Sequence, residues 1–211
     1  MDLYLTPDDP ENTTMMSANG VAHFRATTTK SSEGTITYLQ RPSETLEAGL
    51  IAEIHSKKGK KTTIAKSTLL GVIAPDVDDG QGVDASKFLY RKGRFNASRY
   101  FMGDDGAEYR WKYQKKIGWT MTKCSSGDEI TQQVRWSSGE GMFVGQKKCA
   151  LRIYPCTIDI ELIVLSFLVV EKKRRESKGD ERETVHVVVD DPIDGGASGA
   201  EEGGSATYGE M

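Results

Sequence analysis

Apolar positions are spread thinly along this chain except in one place. From Leu162 to Val170 only Ser166 is polar, and no other stretch is as apolar. The next residues, Glu171 to Ser177 (E-K-K-R-R-E-S), are strong helix formers, with basic groups where the C-terminal end of a helix dipole is negative. Upstream, Thr157 after Pro155 predicts an N-cap, with Asp159 and Glu161 in the favourable first turn, and Gly179 predicts a stop. The pattern predicts a helix over 157–177, although the alternation from Ile158 to Val164 also permits a strand there. The middle of such a helix is apolar all round, so it is either buried on every side or in a membrane. Length decides: Ile160 to Val170 spans about 16 Å at 1.5 Å per residue, against roughly 30 Å of hydrocarbon. The expectation is a fully buried core helix whose basic end emerges into solvent, with the chain upstream as its wrapping.

That upstream chain alternates at period two over short runs broken by turns. Asn19-Gly20 lies between two extended runs, a hairpin signal. Thr35 to Arg41, Leu50 to His55, Thr62 to Ala65 and Ser67 to Ile73 read as strands, and Phe88 to Arg91 and Arg99 to Met102 as short extended pieces. Glu108 to Gln114 places Tyr109, Trp111 and Tyr113 on one face. Trp119 to Lys123 and Ile130 to Trp136 form a hairpin around Ser125 to Asp128, and Met142 to Val144 and Cys149 to Tyr154 complete the set. About ten to twelve short strands with regular turn spacing, and one helix, predict a mainly β (α+β) fold. The arrangement expected is a closed antiparallel β-barrel around the helix, since closure also removes exposed sheet edges. After residue 177 the chain becomes acidic and Gly-rich, and 178–211 is expected to be a disordered tail.

Charge sharpens this division. The 211 residues carry a net −3; Lys178 to Met211 holds two basic and nine acidic residues, a net of −7, which leaves +4 on residues 1–177. The opening M-D-L-Y-L-T-P-D-D-P lacks an apolar core, so no secretory signal is expected, and the glycosylation patterns at Asn12 and Asn96 read as chance. Three cysteines, Cys124, Cys149 and Cys156, without tight spacing suit a reduced intracellular protein. The expected location is cytoplasmic, with peripheral membrane association or nuclear entry left open.

Candidate chemistry is sparse. His23, His55 and His186 lie far apart, no cysteine pair has metal-ligand spacing, and there is no glycine-rich phosphate loop or nucleophile elbow. No catalytic residue, metal or cofactor is predicted. The acidic loop with Asp76, Asp78, Asp79, Gly80 and Asp84 lacks the EF-hand register, with Lys87 at the twelfth position, and reads as a solvated loop. The aromatic stripe at Tyr109, Trp111 and Tyr113 reads as core rather than a base-stacking platform, and the slightly negative chain argues against nucleic acid. Basic turns are the best surface signal: Lys57, Lys58, Lys60 and Lys61 at one tip, Lys115 and Lys116 at a second, Lys147 and Lys148 at a third. If the barrel brings these tips to one end, they form a patch for anionic headgroups; otherwise they keep a β protein soluble. Lys172 to Arg175 reads as solvation of the helix end. In the tail, Val185, Val187, Val188, Val189, Asp190 and Asp191 look like a SUMO-interacting motif, a β-branched run followed by acids that a partner could take up as an added strand.

Three motifs carry a family resemblance. The opening M-D-L-Y-L-T-P-D-D-P-E-N-T-T, the central G-D-D-G-A-E-Y-R-W-K and the closing D-I-E-L-I-V-L-S-F-L-V-V-E-K-K-R-R resemble a fungal domain-of-unknown-function family (DUF 6593), itself similar to the tubby C-terminal and LURP-one-like superfamily. The resemblance covers about residues 1–177. It implies a β-barrel wrapped around a hydrophobic C-terminal helix, in a superfamily that includes membrane phosphoinositide binders and lipid scramblase-like proteins; it carries no lipid-site residue onto this chain. The leading expectation is a non-catalytic intracellular module binding anionic lipid headgroups through basic loop tips. A protein-interaction module acting through its tail is the alternative, and an uncharacterised enzyme is third.

Overall fold

The computed structural model describes residues 1–57, 59–74, 82–93 and 97–185, and only the backbone of Leu46 and of 178–185. In chain order the elements are β1 (Asp2–Thr6), β2 (Thr13–Met16), β3 (Ala22–Ser31), β4 (Gly34–Gln40), a single turn α1 (Leu46–Gly49), β5 (Leu50–Ser56), β6 (Thr63–Ala65), a second turn α2 (Leu70–Ile73), β7 (Val83–Asp84), a third turn α3 (Ala85–Phe88), β8 (Arg99–Met102), β9 (Glu108–Gln114), β10 (Gly118–Lys123), β11 (Glu129–Ser138), β12 (Lys147–Ile153) and the long helix α4 (Ile160–Val185). The twelve strands form one antiparallel sheet in the order β7-β6-β5-β4-β3-β2-β1-β12-β11-β10-β9-β8.

The sheet curls around α4. Leu162 to Leu165 and Phe167 to Val170 are all at most 3 % exposed, so no side of the helix faces water along this run. Eight such side chains contribute about 1.5–3 kcal/mol each on burial. Together they rival or exceed the roughly 5–15 kcal/mol net stability of a whole domain. Trp111 packs against Phe167 with the rings tilted at 44° and their centroids 6.1 Å apart, and it donates its indole N–H to Ser166 Oγ at 2.9 Å, which gives the one polar side chain of the run a partner. Tyr109 and Trp111 are fully buried, as the alternation of that strand predicts.

The barrel is not closed. β7 and β8 are the two ends of the sheet order and do not pair. The segment between them closes the core instead: α3 packs Phe88 against Phe101 of β8 at 5.5 Å, and Tyr90 makes an isolated bridge to Tyr100. β7 is only two residues long, pairs with β6 over both of them and turns at once into α3, so no ladder runs from it to β8. Phe88 to Arg91, expected extended, is thus helical at Phe88 and bridged only at Tyr90, and Ser67 to Ile73 ends in the turn α2 rather than a strand.

Two further elements differ from the expectation. β1 has no counterpart in the sequence reading, yet it joins the halves of the sheet, pairing with β2 on one side and β12 on the other. Its L-Y-L core is buried on both faces: Leu3 and Leu5 enter the main core, while Tyr4 sits under the 3-10 turn Gly141–Phe143 with its ring 4.7 Å from Phe143. Met142 to Val144, expected as a strand, belongs to this cover.

The helix begins at Ile160 rather than at 157 because Asp159, not Thr157, caps it, accepting from Glu161 N at 2.8 Å. Thr157 donates to Asp105 Oδ2 at 2.7 Å, and Asp105 also accepts from Tyr109 OH and from Lys123. Asp104 accepts from the backbone N–H of Asp159 at 3.0 Å. The G-D-D-G turn therefore ties the β8–β9 connection to the start of α4. A Cβ at Gly103 would lie 2.6 Å from the Tyr109 ring, which explains the first glycine. At its other end the helix runs through Gly179 to Val185, eight residues beyond the expected boundary. One helical glycine costs only about 1 kcal/mol, which the charged helix formers flanking it can outweigh. The rest of the tail lies outside the described residues.

Placing a carboxylate inside the enclosure tests it. Leu165→Asp is expected to abolish folding, because an unpaired buried carboxylate costs several kcal/mol. Far-UV circular dichroism and a denaturant titration would show this; a cooperatively folded variant would mean that α4 has a wet face.

Candidate functional site

The antiparallel topology sorts the turns into two sets, one at each end of α4. At the start of the helix lie the G-D-D-G turn and Arg41, whose guanidinium forms a two-pronged pair with Glu161. At its exit lie the ends of β1, β5, β9 and β11 and the start of β12. Contacts with the helix fix this: Ser56 and Thr62 donate to Glu176, Arg174 stands 5.0 Å from the Tyr113 ring, and Arg175 pairs with Asp9 at 2.6 Å. All three predicted lysine tips are therefore at the exit end. They are not equivalent there.

Lys115 and Lys116, in the β9–β10 turn, and Lys147 and Lys148, at the start of β12, flank β11 on its two sides. The tip at 57–61 lies across the opening, next to β4 and β6. Lys57 pairs with Glu33 at 2.8 Å and Lys61 with Asp84 at 3.1 Å, so both are largely neutralised; Lys60 has no carboxylate partner among the described residues, and Lys58 lies outside them. The Asp84 carboxyl, though partly desolvated, is held down to about 2 by Ser86 and Lys61 and caps α3. Asp76, Asp78, Asp79 and Gly80 lie outside the described residues, as do His186, Val187, Val188, Val189, Asp190 and Asp191; Val185 is the last residue of α4.

Between the two lysine pairs the structure places residues to which the sequence reading gave no role. A pocket of about 510 Å³ opens beside the emerging helix, lined by Tyr113, Lys115, Gln133, Arg135, Trp136, Cys149, Glu171, Arg174 and Arg175, with Asp8 and Pro10. β11 shifts register between Val134 and Ser137, so Arg135 and Trp136 together oppose Cys149. This is a β-bulge, which bends a strand and re-aims its side chains. Arg135 donates to Tyr113 OH and lies 5.5 Å from that ring, with no carboxylate partner among the described residues. Arg174 and Arg175, by contrast, are both committed to Glu171.

Glu171 anchors the pocket floor. It is 3 % exposed and accepts from Trp119 Nε1 at 2.9 Å as well as from both arginines. Burial opposes its ionisation, but Arg174, Trp119 and Arg175 outweigh that and hold the carboxyl below its usual range. Cys149 beside it is pushed up to about 11 by burial and accepts weakly from Gln133. A buried thiol shifted in this direction has little thiolate at neutral pH. His23 and His55 are on different strands, with His55 bound to Glu53 at 2.8 Å. Among the described residues no three His, Cys, Asp or Glu side chains are grouped to hold a metal, and no helix is long and apolar enough to cross a membrane.

A carboxyl whose pKa is lower folded than unfolded stabilises the fold fully above the unfolded value, and that contribution fades as pH falls through the folded value. Glu171→Gln is accordingly expected to cost about 1–3 kcal/mol at neutral pH through its lost charge-assisted hydrogen bonds. The gap to wild type should begin to narrow as pH falls below the ordinary glutamate value of about 4.3, where the unfolded chain takes up its proton, and should close only at still lower pH, where the folded carboxyl protonates too. Urea midpoints measured across that range check this; a gap independent of pH would assign Glu171 no electrostatic role.

No curated protein and no solved structure matches the chain. The family model described as a family of unknown function, DUF6593, matches residues 8–176, which runs from the acidic turn after β1 to the basic end of α4 and takes in the whole exit pocket, and the chain belongs to that family.

Proposed function

We propose that this protein is a non-catalytic binding module that docks peripherally on anionic membrane headgroups through the exit end of its helix. The observation that carries the reading is the company around β11: Lys115, Lys116, Arg135, Lys147 and Lys148 lie on three adjacent strands or turns, none with a carboxylate partner among the described residues. Cations left without counterions on one face attract a negative surface at about 1 kcal/mol each. The opposite end is edged by Asp104 and Asp159, carboxylates without a cationic partner among the described residues, so a negative surface is attracted to one end of the molecule more than to the other. The resemblance of its motifs to a fungal family near the tubby C-terminal and LURP-one-like superfamily, which includes phosphoinositide binders, supports phosphoinositides as the headgroup class. On this reading the working place is the cytoplasmic face of a membrane.

The full chain should sediment with vesicles containing a phosphoinositide and not with neutral phosphatidylcholine vesicles, and binding should weaken as salt is raised. Replacing Lys115, Lys116, Lys147 and Lys148 with Gln should lower affinity at low salt by roughly a thousandfold, four charges at about 1 kcal/mol each. Replacing Lys57 and Lys61, which lie beside β4 and β6 and apart from the cluster around β11, should change it less. Equal binding to neutral vesicles, or a quadruple variant that binds as wild type does, would overturn the reading.

A further inference from the structure

Of the three tryptophans, Trp111 and Trp119 are 0 % and 5 % exposed, whereas Trp136 is 72 % exposed. The bulge in β11 interrupts the ladder to β12 at the point where Arg135 and Trp136 stand, so sheet pairing is given up to present these two side chains. Arg135 leans on Tyr113 and keeps its remaining donors free of any carboxylate among the described residues. Lys115 lines the same pocket, and Ile117, in the adjoining turn, is 38 % exposed.

We propose that Trp136 is an interfacial membrane anchor: its indole enters the headgroup layer of a bilayer while Arg135 beside it binds a lipid phosphate. This deepens the headgroup reading above and rests on it. Chemistry selects a bilayer over a protein partner. An exposed tryptophan at the centre of a protein interface is ringed by groups that exclude water. Trp136 shares its pocket with Lys115 and Arg135, cations without a carboxylate partner among the described residues, the combination that suits the boundary between hydrocarbon and anionic headgroups, where an amphipathic indole settles. The planar guanidinium of Arg135 matches two oxygens of one phosphate, which the lysines around it cannot do.

The arrangement supplies its own probe, because the other two tryptophans are already buried. Mixed with phosphatidylcholine vesicles containing a phosphoinositide, the full-length protein should show a blue-shifted emission and protection from acrylamide quenching. Trp136→Phe should abolish both changes and weaken vesicle binding, and Arg135→Gln should weaken binding about fivefold, the worth of one charge at the surface. Sedimentation with the vesicles and no change in emission would overturn the anchor and leave the headgroup reading standing. The same blue shift with soluble inositol hexakisphosphate and no vesicles would assign the pocket to a free phosphate compound, and would also overturn the anchor. A blue shift that survives Trp136→Phe would place the response in the core and do the same. No vesicle binding at all would overturn both proposals.

Discussion

A helix with no polar face between Leu162 and Val170 is stable in water only if other elements cover it on every side, and the twelve strands do that together with α3, which fills the gap between β7 and β8. The requirement reaches well beyond the apolar run. Each polar group that the helix carries into the enclosure must find a partner there. Ser166 takes the indole of Trp111, Glu171 takes that of Trp119 with two arginines, and Lys172, 4 % exposed, reaches Glu11 at 2.7 Å and Thr35 at 3.2 Å. These contacts draw in β3–β4, β9, β10 and the turn after β1, so the helix sets the position of elements distant in sequence.

The two ends of the enclosure are built differently. At the start of α4, short carboxylates satisfy backbone and hydroxyl donors, and Asp105 alone joins Thr157, Tyr109 and Lys123. Those bonds hold its carboxyl well below the usual range despite the desolvation that opposes them. At the exit, the helix leaves as a basic run and the surrounding turns are lysine-rich. Some of that charge is spent internally on Glu171, Asp9, Glu11 and Asp84, and the remainder collects around the bulge of β11. Fold and proposed function meet there, since Glu171 holds the helix end in place and also forms the floor of the pocket.

Much of this was legible in the sequence. The apolar run, too short to span a bilayer, marked the enclosed helix, and alternation located Tyr109 and Trp111 in the core. The failures have physical causes. β1 is buried on both faces, so it does not alternate between polar and apolar and gives no period-two signal. Closure could not be read from strand number, because it depends on whether the last two edges meet, and β7 gives way to α3 before reaching β8. Asp159 displaced Thr157 as cap because a tertiary partner, Asp105, claimed the threonine hydroxyl. Lysine pairs marked the turns on either side of β11, but Arg135 and Trp136 sat in what read as ordinary strand. Only the register shift opposite Cys149 shows that they are displayed rather than packed.

The sheet covers the helix without closing its hydrogen-bond ladder, with α3 and the Tyr90–Tyr100 bridge across the gap. Such a seam is a place for local opening, whereas the middle of the helix should open only with the whole domain. Hydrogen exchange followed by mass spectrometry tests this most directly. The account predicts that amides of Leu162 to Val170 exchange last, at the rate of global unfolding, and that those of Ala85 to Tyr90 exchange earlier. Exchange in the helix middle as early as at the seam would contradict it, because the helix would then not be the enclosed element on which the sheet depends.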